Sequence, residues 1–413
     1  VSAAAPPDRR RAVAGAALAF LVLLLLPVGR SAELPLLIAA AWAVALLWRH
    51  ARGADLALVL GLCAAYTLPA ILSTFDAVDA GKSWTTAIGS LRFALFGAAM
   101  VLLLAGQPRT RAVLWDLVAA LVALWTLDAL VQGATGWSLG GAMTADRVSG
   151  VFGADNLKLG PVLAVLSPFA LLSARERLGR AGLGVAWLVL ASVILVAGAR
   201  AGWVMFVLVT VVLLRRELPR GRDFALALLG AGILAGAVGA IARQASPPFA
   251  ERVARTAAVF EGGRAGLDHA LAGRLPIFET AWAMGAAHPF NGVGVRGYRH
   301  AYAAHAAADD PWLRPENGGA ALHPHQVLLE LWAETGALGV LAWLAGAALA
   351  IRAWRRADVA AREAALAPGL ALAVMVFPLN THFAFYSSFW GLLFGWLLAL
   401  YAAALARPSR EGA

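Results

Sequence analysis

The chain reads as an all-α polytopic integral membrane protein with about twelve transmembrane helices and one long, partly helical loop on the outer face. Apolar residues fill 61% of the 413 positions and charged residues 14%, and mean hydropathy is +0.73. A soluble domain has too little interior to hide that much apolar side chain, whereas a bilayer accepts it. The apolar residues form long runs parted by short polar connections, and the basic residues of those connections alternate in number from one membrane side to the other.

The net charge of +10 does not point to nucleic acid, because the arginines lie in short clusters between apolar runs rather than along one basic stripe. The single cysteine, Cys63, sits in an apolar run and excludes an internal disulfide. Arginines 9–11 precede the first apolar run, and no small-residue cleavage pattern follows PVGR, so this run reads as a first span rather than a leader.

Spans are expected at 12–28, 33–48, 54–73, 84–105, 113–131, 157–174, 182–198, 201–214 and 224–242, then at 325–351, 366–380 and 384–405. Some fall short of the ~20 residues that cross a bilayer straight. With the N-terminus inside, the inner connections and tails carry Arg9–Arg11, Arg49/Arg52, Arg109/Arg111, Arg175/Arg177/Arg180, Arg215/Arg216/Arg220/Arg222, Arg352/Arg355/Arg356/Arg362 and Arg407/Arg410. Both termini are then cytoplasmic. The chain divides into residues 1–242 with nine spans, a loop at 243–324, and residues 325–413 with three spans.

The loop holds eight of the 34 basic residues and five of the eight histidines. Its segment 249–260 has helical apolar spacing after a Ser-Pro-Pro start. The stretch 270–286 places Arg274, Phe278 and Trp282 at four-residue intervals, with Pro276 interrupting or resetting an early turn. NGVGVRGYRH at 291–300 is glycine-rich, and DDPWLRPENGG at 309–319 reads as a turn-rich flap.

His325 opens the tenth span just after Pro324, which puts a neutral imidazole at the membrane surface, where it can take a proton from an attacking hydroxyl. His323 falls elsewhere by period, where it shapes the turn, and it is a further substrate-binding candidate. On the same side, Arg200 lies in VAGARAG between the seventh and eighth spans, Arg274 in LAGRLPIFETAW, and Arg147 in DRVSGVFGADN. Guanidinium groups grip a diphosphate with paired, charge-assisted hydrogen bonds; headgroup contact or loop ion pairs are the plainer alternative. Arg296, Arg299 and Lys158 are further substrate-binding candidates. Glu330 and Glu334 follow His325 at a depth where a carboxylate is costly unless paired, which favours structural roles at least as much as chemistry. Asp55, Asp116 and Asp128 carry the same structural reading. Asn380, His382 and Tyr386 line the outer connection before the last span. His300/His305 and His323/His325, with Asp309/Asp310 as the carboxylates, make only a loose metal constellation, and no metal ligand set is assigned. No GxxxxGK[ST], HExxH or dinucleotide fingerprint occurs.

These pieces together resemble the O-antigen ligase family of bacterial membrane glycosyltransferases, which also holds O-antigen polymerases and protein O-oligosaccharyltransferases. VAGARAG around Arg200, GR at 273–274 before an aromatic-rich helix, HPFNGVGV at 288–295 and HPHQVLLELWAETGALG at 323–339 carry the resemblance, with RVSGVFGADN at 147–156 beside them. Gln326 stands where many relatives have asparagine and leaves an amide available for substrate, as do Glu334 and Tyr386 their polar groups.

The resemblance implies a membrane-embedded glycosyltransferase of the bacterial inner membrane whose long loop is periplasmic. In it His325 activates the acceptor hydroxyl, and Arg200 and Arg274 hold the diphosphate of an undecaprenyl-linked glycan. The acceptor is a sugar hydroxyl of lipid A-core oligosaccharide, the transfer is inverting and metal-independent, and no cofactor is implied. Membrane lipids are the other partner. Polymerase and protein transferase differ from ligase only in acceptor. A transporter is the reading from another class: twelve spans suit two related halves, but the single long loop breaks that symmetry and no internal repeat is evident.

Overall fold

A computed structural model of the protein describes residues 9–50, 55–143, 147–154 and 156–406. In chain order the helices are α1 (Arg9–Leu24), α2 (Glu33–His50), α3 (Ala57–Leu72), α4 (Ala80–Leu104), α5 (Pro108–Thr135), α6 (Leu159–Val196), α7 (Arg200–Glu217) and α8 (Gly221–Ala245). The loop contributes α9 (Pro247–Ala257), α10 (Gly263–Ala270), α11 (Leu275–Ala287) and α12 (Tyr298–His305), and α13 (Val327–Arg356), α14 (Val359–Met375) and α15 (Ser388–Leu405) follow. The departure from an all-α chain among these residues is a two-residue hairpin, Trp137–Ser138 paired with Gly141–Ala142, ahead of α6.

Each of the twelve expected apolar stretches lies on a helix, and the differences are at the ends. Six of these helices, α4, α5, α6, α8, α13 and α15, are long and apolar enough to cross a membrane, and shorter apolar segments lie in α2 and α3. The protein is therefore a multi-pass helical membrane protein. The eleventh stretch begins earlier than its hydropathy suggests, because the Asp358 side chain caps α14 by accepting from Ala361 N–H at 2.8 Å. Arg52, Arg407 and Arg410, expected on the inner side, lie outside the described residues.

The sixth and seventh stretches share α6, which is interrupted at Gly179 (φ 70°, ψ −161°). A straight helix would hold Gly160 and Ala197 about 55 Å apart. Instead Gly160 lies directly against Ala197, with 3.1 Å between an ideal Cβ on the glycine and that of the alanine. The break is thus a reversal, and its two arms run antiparallel. The arginines expected in this connection flank it, Arg175 pairing with Glu217 at 2.7 Å and Arg177 with Asp116 at 2.5 Å.

The fold divides into two compact units. The first comprises Val1–Leu114, Arg274–Leu372 and Val376–Ala413. Here α4 packs against α1, α2, α3 and α15, α3 against α13, and α11 against α13. The sequence of α15, SFWGLLFGWLLALYAAAL, is apolar on every side, and the helix is buried along most of its length. Its polar atoms find backbone partners: Trp396 Nε1–H donates to Ala19 O at 2.8 Å and Tyr401 O–H to Ala350 O at 2.8 Å. The second unit comprises Trp115–Gly273 and Ala373–Met375, built on α6 against α7 and α8 and on α8 against α9.

The long loop is shared between the units, with residues up to Gly273 in the second and residues from Arg274 in the first. In the second unit Ser246 caps α9 through Phe249 N–H, as the Ser-Pro-Pro start suggests. In the first unit Pro276 falls in the opening turn of α11, where its missing N–H costs nothing. A core of Ile277, Met284, Val293, Tyr298, Tyr302 and Ala333 joins α11, α12 and α13. The expected flap at 309–319 forms two short 3₁₀ turns, held by Asp310, which accepts from Trp312 N–H and from Tyr302 O–H at 2.8 Å each.

Candidate active site

In the first unit the two motifs singled out in the loop region fold onto each other. α13 is interrupted at Gly336 (φ 62°, ψ −158°), whose Cα hydrogen side faces the backbone of Phe290 and Asn291. The break frees Ala337 and Leu338 N–H to donate to Pro289 O (2.8 Å) and Phe290 O (3.1 Å), while Val293 N–H donates to Ala333 O at 2.9 Å. Gly292 (φ +68°) meets the backbone of Glu334 and Thr335, an approach a Cβ would block. Val295 is then fastened at both ends, its N–H to Ser73 Oγ (3.0 Å) and its carbonyl to the Ser83 hydroxyl (2.8 Å).

This framework presents the histidines. Gln326 caps α13, its Oε1 accepting from Leu329 N–H and its Nε2 donating to Pro378 O, each at 2.5 Å. The amide expected to be available for substrate is therefore spent at both ends on structure. His325 lies just before the cap with φ +54°, a left-handed conformation that a residue with a Cβ rarely adopts. Its N–H donates to His323 Nδ1 at 3.1 Å, and the two rings are tilted by 42° with centroids 3.8 Å apart. The contact leaves His323 Nδ1 unprotonated. His325 Nδ1 is buried without a hydrogen-bond partner.

Arg274 is the residue before α11, and its Nη1 donates to Thr381 O at 3.2 Å. Burial first, then His323, Arg274 and His382, pushes the His325 pKa down to about 2. Burial first, then Arg296, His382, Arg274 and Arg299, pushes that of His323 down to about 3. Both rings are neutral at pH 7, and both sense the Arg274 cation. With pKa values this low the unliganded rings are weak bases, and an anion bound near Arg274 would offset its positive charge and raise them toward the range a general base needs.

The glutamates of α13 accept backbone hydrogen bonds. Glu330, fully buried, accepts from Phe385 N–H (2.8 Å) and Tyr386 N–H (3.2 Å) and so orders the connection before α15. Glu334 accepts from Arg296 N–H at 2.8 Å, and that bond supports Arg296 at φ +64°. Arg299 is partly buried, and burial and the neighbouring Arg296 lower its pKa. Tyr386 is buried against Tyr66, with ring centroids 4.9 Å apart. The histidines weighed as metal ligands are engaged elsewhere: His300 faces Asp79 at 3.4 Å, and His305 Nδ1 contacts Ala301 O at 3.0 Å. Among the described residues no group of three or more His, Cys, Asp or Glu side chains could hold a metal ion.

The other candidates belong to the second unit. Arg200 is the first residue of α7, and its Nη1 donates to Ala270 O and reaches Thr256 Oγ1 at 3.4 Å. The Arg252 guanidinium lies against Gly198 in the same turn. Sequence reasoning passed over Arg252 and Arg255, although their spacing of three on an amphipathic helix marks one face. Lys158 precedes α6, and Arg147 leads into Ser149 and Gly150, whose N–H groups both donate to Gln132 Oε1 at 2.8 and 2.7 Å.

Residues 185–344 match the family model described as O-antigen ligase. No curated protein matches the chain. The O-antigen ligase match runs from the second arm of α6 into α13 and contains Arg200, Arg274 and His325. Arg147, Lys158 and Tyr386 lie beyond it. The resemblance drawn from the motifs thus has an independent counterpart in the segment that carries most of them, and it supports an enzymatic, ligase-like role.

Proposed function

We propose that the protein is an inverting glycosyltransferase that moves O-antigen polysaccharide from undecaprenyl diphosphate to a sugar hydroxyl of lipid A-core oligosaccharide. The observation that carries this reading is His325: a buried imidazole with an unpartnered Nδ1, held in a left-handed conformation within electrostatic range of Arg274, so that a diphosphate bound there would raise its basicity. An unmet polar atom and a strained backbone each cost about 1–3 kcal/mol, and both gather where function requires them.

In the proposed step His325 takes the proton of the acceptor hydroxyl as its oxygen attacks the anomeric carbon. The bond from that carbon to the diphosphate breaks, and the undecaprenyl diphosphate leaves with the bonding pair. Arg274 stabilises the charge that develops on the leaving group. For Arg200 the diphosphate-binding role comes from the resemblance alone, and Arg200→Ala is expected to weaken donor binding if that role holds. The loop faces the periplasm and both termini face the cytoplasm in this reading.

The test is transfer by purified protein from an undecaprenyl-diphosphate glycan to lipid A-core. His325→Ala lowers turnover by about 10²–10⁴-fold with donor binding retained, and Arg274→Ala weakens donor binding and turnover together. Normal transfer by His325→Ala removes the general-base role. Replacing lipid A-core by repeat-unit glycan or an acceptor protein separates ligase from polymerase and protein transferase.

A further inference from the structure

A cavity of about 420 Å³ opens in the first unit, lined by Arg30 and Glu33 at the turn between α1 and α2, Lys82 and Arg92 on α4, Arg296 on the glycine-rich loop, and Tyr386 before α15. Four cations meet one carboxylate. Glu33 is already taken: Arg92 Nε donates to its Oε2 at 2.8 Å and Arg92 Nη2 to its Oε1 at 2.9 Å. The positive charge not paired within the lining comes from Arg30, Lys82 and Arg296, which reach the cavity from three separate segments, with Arg296 partly offset by Glu334 and Glu330 behind it.

Arg296 is held there by construction. Its left-handed backbone is supported by Glu334, and Val295 before it is bonded to α4 and to the end of α3. That left-handed backbone is strained, and the surrounding bonds hold it so as to aim one guanidinium. Cations brought together this way repel one another unless an anion joins them. A phosphomonoester fits their number and type, since it carries close to two charges and three acceptor oxygens, suited to the arginine forks and the lysine point charge.

We propose that this cavity is a subsite for a phosphate group carried on the acceptor saccharide. The inference rests on the transfer reading above and deepens it. In an inverting displacement the acceptor and the leaving group occupy opposite faces of the anomeric carbon, so the acceptor's anchor lies apart from the groups that clamp the diphosphate. Arg296 joins the two places, lining the cavity while its charge is felt at His323.

Binding to purified full-length protein tests this without any turnover. The probes are a bisphosphorylated lipid A disaccharide, the same disaccharide after phosphatase treatment, inorganic phosphate and phosphatidylglycerol. Wild-type protein binds the phosphorylated disaccharide about tenfold or more tightly than the dephosphorylated one. Lys82→Gln and Arg30→Gln, both at exposed positions, erase most of that preference and leave binding of the dephosphorylated disaccharide unchanged, while Lys82→Arg restores much of it.

Equal binding of the two disaccharides, or a preference that survives both substitutions, overturns the subsite. Inorganic phosphate or phosphatidylglycerol binding as tightly as the phosphorylated disaccharide overturns the saccharide assignment. A wild-type protein that binds with this preference yet transfers no glycan to lipid A-core removes the transfer reading alone.

Discussion

Two helices of this protein break at a glycine with nearly the same backbone angles, α6 at Gly179 and α13 at Gly336. At Gly179 nothing lies within 4 Å of where a Cβ would stand, and the chain turns back through open space between basic residues. At Gly336 the same geometry is filled by the backbone of Phe290 and Asn291. One break serves as a connection between passes. The other is a dock that fixes the glycine-rich loop and, eleven and thirteen residues upstream, the two contacting histidines. Local conformation does not distinguish a turn from the footing of a site; what packs into it does.

The largest expected difference comes from adding one methyl group to each. Gly336→Ala combines an unfavourable left-handed alanine with overlap against fixed backbone, and costs about 3 kcal/mol or more. Gly179→Ala meets only the conformational term, about 1–2 kcal/mol. Thermal unfolding of the two purified variants decides this, and equal losses would mean that the dock at Gly336 contributes nothing beyond a turn.

The flanking residues differ next. Glu334→Ala leaves Arg296 N–H without its acceptor and costs about 1–3 kcal/mol, whereas Glu334→Gln retains an amide oxygen there and recovers most of it. The same unfolding measurement reads both, and indistinguishable variants would argue against the Glu334 bond as the support of Arg296.

Acid separates the two regions again. His323 and His325 have folded pKa values of about 3 and about 2, below the ordinary 6.5. The unfolded chain therefore binds the extra protons, so this stability is present above pH 6.5 and lost as pH falls below it. Each histidine contributes at most about 1.4 kcal/mol per pH unit in that window. The melting temperature declines from pH 7 to pH 5, and His323→Gln makes the decline shallower; an unchanged slope would mean that His323 is not held neutral.

The smallest effect belongs to the α6 break. Arg180 lies 3.6 Å from Glu217 with its side chain 71% exposed, and Arg180→Gln changes stability by less than about 0.5 kcal/mol. A loss above 1 kcal/mol in the unfolding measurement would show that this turn, too, is held by its side chains.

Much of this organisation is legible in the sequence. Hydropathy alone locates the twelve apolar stretches, because lipid-facing and buried helices both require long apolar runs. Ser246 before two prolines marks the start of α9, and Pro276 is compatible with the first turn of α11, since capping and proline effects act within a few residues. His325, Arg274 and Arg200 stand out because charged or titratable groups beside spans are costly and few.

Other features depend on partners distant in sequence. Gln326 offers an amide in one dimension, but Pro378 and the cap of α13 consume it. Glu334 reads as a carboxylate near a histidine, yet it accepts from the backbone of Arg296. Lys82, Arg92 and Arg30 carry no motif, and they acquire meaning only where α2, α4 and the glycine-rich loop enclose one cavity. By itself the sequence determined the helices, their apolar character and the short-range caps, since these follow from neighbouring residues and from solvent. Only the tertiary structure decided which polar groups remain for chemistry, because hydrogen bonds and charge balance are settled between segments tens to hundreds of residues apart.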